Sequence, residues 1–69
     1  MITIAEIQVR LREAIRQSGL TQAEIARRLG VTSNTVNKYM KANKFPSLET
    51  FANLCEILDV SSDDILGLK

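Results

Sequence analysis

One local arrangement recurs five times along this chain: an apolar residue, a residue able to cap a helix, and a second apolar residue four positions after the cap. The sets are Ile2-Thr3-Ile7, Leu20-Thr21-Ile25, Val31-Thr32-Val36, Pro46-Ser47-Phe51 and Val60-Ser61-Ile65. In each, the hydroxyl can accept a hydrogen bond from a free amide of the first helical turn, while the outer pair closes around it as a hydrophobic staple. Thr3/Glu6, Thr21/Glu24 and Ser61/Asp64 add an acid at the third helical position, which also suits the positive end of the helix dipole. Helices are therefore predicted over roughly 3–18, 21–29, 32–41, 47–58 and 61–66, leaving no room for a sheet. Ile4, Ile7, Leu11 and Ala14/Ile15 form an apolar stripe on the first helix, which Gly19 closes. Leu48, Phe51, Leu54, Cys55 and Leu58 do the same on the fourth. With the inner faces of the second and third helices, these stripes predict one core. The expected fold class is all-α, a compact five-helix bundle with residues 1–69 as a single domain.

The second and third helices hold the chemically informative stretch, TQAEIARRLGVTSNTV. Thr21 and Glu24 make a capping box, and Ile25, Ala26 and Leu29 form the buried face. Gly30 follows, where a left-handed backbone is cheap only for glycine. Thr32 opens the next helix, with Val36 and Tyr39 turned inward. Ser33, Asn34, Asn37 and Lys38 lie on its other side, and each can hydrogen-bond a base edge. Helix, tight turn and polar second helix are the parts of a DNA-reading helix-turn-helix.

At 69 residues the chain is near the lower limit for independent folding, so it can bury one small core but no deep cleft. Few aromatics and no Trp make that core mostly aliphatic. The net charge of +1 conceals a division: residues 1–20 carry +1, residues 21–46 carry +4 and residues 47–69 carry −4. A polyanion is drawn to the middle third and kept off the end. There is no His, the one Cys has no evident base, and the acids are dispersed or serve as caps. Neither metal-ligand spacing nor a glycine-rich phosphate loop is present. The chain is therefore expected not to be an enzyme, to need no cofactor or metal, and to have no evident small-molecule ligand. No apolar run reaches the ~20 residues of a membrane span. The N-terminus lacks a signal-peptide pattern, and the lone Cys55 cannot form an internal disulfide. No membrane association is expected, and the reducing cytoplasm is the expected location.

From about Ile4 to Leu66 the chain resembles the Cro and lambda-repressor-like helix-turn-helix proteins, the XRE family. The resemblance rests on TQAEIARRLGVTSNTV followed by FPSLETFANLCEILDVSSDDIL. The family has a small residue where the two helices cross, here Ala26, and glycine at the turn, here Gly30. It has an aliphatic residue in the middle of the recognition helix, here Val36, and Pro-Ser-Leu opening the fourth helix. The resemblance implies a lambda-repressor-like fold and sequence-specific binding of double-stranded DNA through the third helix. It further implies a bacterial or phage repressor, bound as a homodimer to a palindromic operator. Two departures stand out. Family members often pair an Arg late in the first helix with a Glu late in the third, whereas the matching positions here are Ile15 and Met40. An apolar contact in place of an ion pair need not cost stability. The glycine usual after the recognition helix is replaced by Ala42, which leaves Asn43 to take the left-handed turn.

Candidate contacts follow. Ser33, Asn34, Asn37 and Lys38 are the base-reading candidates, because a recognition helix presents its N-terminal half to the major groove. A solvated polar face is the bland alternative. By resemblance Gln22, at the first turn of the second helix, contacts a phosphate; otherwise it is an ordinary helix-start residue. Thr32 is first a cap and then a phosphate candidate, and Thr35 is a candidate for a phosphate or a thymine methyl. Lys41, Asn43 and Lys44 are placed for the sugar-phosphate backbone, or equally serve solubility. Arg27 and Arg28 either help attract DNA or are simply solvated. Tyr39 is read as core, and Cys55 as a buried spacer at a position where the family usually has a small residue. Ile57, Leu66 and Leu68 are candidates for a symmetric dimer contact, as in the C-terminal parts of related domains, or are scattered surface residues. The rival function is a protein-binding module such as an antitoxin or adaptor, in which those three would matter more than Asn34 or Lys38.

Overall fold

The computed structural model describes residues 1–41 and 44–69. Among them are five helices and no strand: α1 (Ile4–Gln17), α2 (Gln22–Leu29), α3 (Ser33–Met40), α4 (Leu48–Leu58) and α5 (Ser62–Leu66). This is the expected all-α class. The five predicted hydroxyls are the N-caps: Thr3, Thr21, Thr32, Ser47 and Ser61 each sit in extended backbone and accept from an amide of the first turn. Thr21 completes the reciprocal box. Its hydroxyl accepts from the Glu24 amide at 3.1 Å, and Glu24 Oε1 accepts from the Thr21 amide at 3.1 Å. Ser61 instead accepts from the amide of Asp63, one residue short of Asp64.

The hydrogen bonds from the Thr21 backbone and side chain hold the Glu24 carboxyl below its ordinary pKa of 4.5, and Arg28 and Arg27 add to the effect. A carboxyl with a lowered folded pKa adds stability above its unfolded value and loses it as the pH falls through the folded one. Glu24→Gln is therefore expected to lower the melting temperature at pH 7, with the deficit shrinking towards pH 3. Thermal melts of both chains across that range check it; a deficit independent of pH would deny the carboxylate this role.

Between α2 and α3 the chain turns at Gly30, φ 79°. The Ala26 carbonyl accepts from the amides of both Gly30 (2.9 Å) and Val31 (3.0 Å), and Val31 drops onto the core. Nothing lies within 4 Å of a Cβ built at Gly30, so alanine there meets only the backbone penalty. Gly30→Ala is expected to cost about 1–2 kcal/mol, or roughly 4 °C or more in melting temperature. α4 ends in the same left-handed manner at Asp59, φ 56°, a residue type that tolerates this conformation better than most.

The core is built on Leu11, Ile25, Val36 and Leu54, closed by Ile15, Ala26, Phe51, Leu58 and Ile65, with Met40 and Phe45 packed against it. The phenyl rings of Phe45 and Phe51 pack at a tilt of 38° with centroids 5.6 Å apart. Two residues of the expected stripes are outside it. Ile4 is 61% exposed and Leu48 is 84% exposed. Each is the first residue of its helix. Periodicity sets the face of a residue, but not how far along the axis a neighbouring helix reaches.

α1 packs on α3 and α5, and α2 packs on α3 and α4. Two side chains of α1 make directional links across these contacts. Gln8 Nε2 donates to the Tyr39 carbonyl, and Arg10 Nε donates to the Ile65 carbonyl at 2.7 Å. Tyr39 and Ile65 are the penultimate residues of α3 and α5, where carbonyls have no partner within the helix.

Candidate nucleic-acid interface

α3 is two turns long and divides cleanly. Val36 and Tyr39 are buried and Met40 is half-buried, whereas Ser33, Asn34, Lys38 and the C-cap Lys41 are exposed. Asn37 and Thr35 are half-buried at the boundary. Asn34, Lys38 and Lys41 follow at helical spacing, so they form one row on the face opposite Val36 and Tyr39. Thr32 accepts from the Thr35 amide at 3.2 Å, and their hydroxyls lie 3.0 Å apart. Both hydroxyls are therefore engaged at the cap, although each keeps lone pairs free. Among the described residues, no hydrogen bond uses the side chains of Ser33, Asn34, Asn37 or Lys38. Gln22 is half-buried at the first position of α2, and Lys44 is exposed beyond α3. Asn43, as a phosphate candidate and as a left-handed turn, lies outside the described residues.

The field follows the same division. Arg27, Arg28, Lys38, Lys41 and Lys44 are all exposed. The one acid of their stretch, Glu24, is tied into the capping box. Exposed Glu49, Glu56, Asp59, Asp63 and Asp64 lie on α4, α5 and the turn between them. The ion pairs among the described residues, Arg16–Glu13 and Lys69–Asp64, leave the basic stretch uncompensated. A polyanion aligned with α3 meets cations first.

At the other end, Leu68 is 63% exposed, whereas Ile57 and Leu66 are half-buried and Leu66 is packed against the core. The exposed Leu48 borders a shallow groove of about 320 Å³ with Ala52, Cys55, Val60 and Leu66. The sequence pattern placed Leu48 inside and so missed it as a surface residue. Cys55 is buried, as expected of a spacer, and burial pushes its thiol pKa up, away from nucleophilic chemistry. Gln8 and Arg10 also escaped the sequence reading. A signal for Gln8 was present: it sits on the stripe of Leu11 and Ile15 at helical spacing, a polar residue where an apolar one belongs.

Two helices joined at a left-handed glycine, with a polar and basic outward face on the second, define a helix-turn-helix domain. The chain belongs to that family: residues 8–66 match the model described as helix-turn-helix domain. It is 34% identical over 58 residues to the HTH-type transcriptional regulator ImmR of Bacillus subtilis, covering 84% of this chain and 46% of that protein. It is 36% identical over 56 residues to YqaE of the same organism, an uncharacterised HTH-type transcriptional regulator, covering 81% of this chain and 48% of that one. The chain thus spans about half the length of these relatives. In fold it is similar to the SOS-response transcriptional repressor LexA of Eubacterium rectale, with a TM-score of 0.79 and 27% identity. That match covers 90% of this chain and 66% of the other. The resemblance to lambda-repressor-like domains therefore holds, and these relatives are transcriptional regulators. No helix among the described residues is long and apolar enough to cross a membrane.

Proposed function

We propose that this domain binds double-stranded DNA in a sequence-specific manner and acts in the cytoplasm as a transcriptional repressor. The observation that carries this is the division of α3: Val36 and Tyr39 anchor it, leaving Asn34 and Lys38 outward with Ser33 and Asn37 beside them. Asn suits the adenine edge, and Lys donates to guanine O6 and N7. Gln22, Thr32, Thr35, Lys41, Asn43 and Lys44 serve the phosphates and fix the register without specifying sequence. Two copies related by a two-fold axis place their α3 helices in successive major grooves ~34 Å apart on a palindromic operator, and occupancy excludes polymerase. Ile57, Leu66 and Leu68 are the dimer candidates, to which the exposure of Leu48 adds a fourth.

Selection from a randomised duplex library at about 0.15 M salt tests the reading, because non-specific binding is weak there. An enriched palindrome supports a dimeric regulator. An enriched half-site supports specific readout but assigns dimerisation to something other than these 69 residues. No enrichment would overturn the reading in favour of a protein-binding module of the antitoxin or adaptor kind, for which exposed Leu48 and Leu68 are the supporting observation.

A further inference from the structure

α1 and α3 touch through side chains of two kinds. Ile15 and Met40 are apolar, and apolar burial is non-directional: it holds helices together without fixing their roll or tilt. Gln8 is different. It is 5% exposed on the α1 face that otherwise carries Leu11 and Ile15, and its amide donates to the Tyr39 carbonyl. That carbonyl belongs to the last turn of α3, where the Lys41 amide already serves the carbonyls of Asn37 and Lys38. A leucine at position 8 would extend the apolar stripe, so hydrophobic packing does not account for the glutamine. A buried amide is tolerated when it is hydrogen-bonded, and such a bond has a direction.

We infer that Gln8 is a positioning residue for α3, whose hold on the Tyr39 carbonyl sets the tilt and roll of the row Asn34, Lys38 and Lys41. For its DNA readout this rests on the function proposed above. The leverage is large enough. α3 is ~12 Å long, so a tilt of about 10° at its end moves the far end by ~2 Å, more than the tolerance of a hydrogen bond.

Gln8→Met keeps length and removes the donor; Gln8→Leu removes it with a shorter, branched side chain that suits the apolar stripe. Ser47→Ala, which removes the α4 cap, serves as a control that destabilises without touching α3. Two quantities are read: the ratio of affinities for the selected duplex and a scrambled one, and amide hydrogen exchange of Tyr39, Met40 and Lys41 against that of α2. In either folded Gln8 variant, discrimination is expected to fall about tenfold while scrambled-duplex affinity stays within about threefold. Exchange at the end of α3 is expected to accelerate about tenfold relative to α2, and Ser47→Ala is expected to change neither ratio. An unchanged ratio with α2 and α3 exchanging faster in step would overturn the inference, as would failure of both Gln8 variants to fold while Ser47→Ala folds. Were the unsubstituted chain to discriminate no duplex, the proposed function would fall, and exchange at the end of α3 would still decide the role of Gln8.

Discussion

Leu54→Ala is expected to leave this domain largely unfolded at 37 °C. Leu54 lies in the middle of α4 with none of its surface exposed, in a core whose other fully buried side chains are Leu11, Ile25 and Val36. Truncating a buried leucine costs about 2–5 kcal/mol, the lost transfer energy plus the cavity left behind. A single core in a domain of this size supplies only about 3–5 kcal/mol in all. Leu48→Ala is the informative companion. It removes the same atoms from the same helix, but at a residue 84% exposed, and is expected to change stability by no more than about 0.5 kcal/mol. Thermal unfolding followed by circular dichroism compares the two. Equal losses would mean that α4 presents a different face to the core.

The second large effect concerns binding. Lys38→Ala and Asn34→Ala are each expected to reduce discrimination between the selected duplex and one altered at the contacted base pair by ~10- to 100-fold. This follows from the 1–3 kcal/mol that a good base contact contributes, at 1.4 kcal/mol for each tenfold. Stability should hardly change, because both side chains are exposed. Lys44→Ala is expected to weaken binding to every sequence alike and to flatten the dependence of log affinity on log salt by about one unit. Titrations of each variant with both duplexes at several salt concentrations separate these outcomes. A uniform loss from Lys38→Ala would remove it from the base-reading set and place it with the phosphate contacts.

Membership of the helix-turn-helix family bears on both results. A small bundle with a marginal core tolerates few internal changes, whereas the exposed face of α3 can vary at little cost to stability. The division of charge works in the same direction: exposed cations lie on α2, on α3 and just beyond it, and acids occupy α4, α5 and their turn. A polyanion is thereby steered towards the face of α3 that the proposed readout uses.

What the amino-acid order determined by itself was local. Capping depends on a hydroxyl and an amide two or three residues away, so Thr3, Thr21, Thr32, Ser47 and Ser61 could be read as helix starts without knowledge of the fold. The turn at Gly30 follows from its own backbone freedom. The outward placement of Asn34 and Lys38 follows from helical spacing once Val36 and Tyr39 are inside. Other features depend on partners far along the chain, and only the tertiary structure decided them. Ile4 and Leu48 carry the spacing of core residues yet stand in solvent, because no pattern within a helix states where its neighbours end. Gln8 meets a carbonyl 31 residues away and Arg10 one 55 residues away. A polar side chain on an apolar face can signal that a partner exists, but the identity of that partner is a property of how the helices are docked.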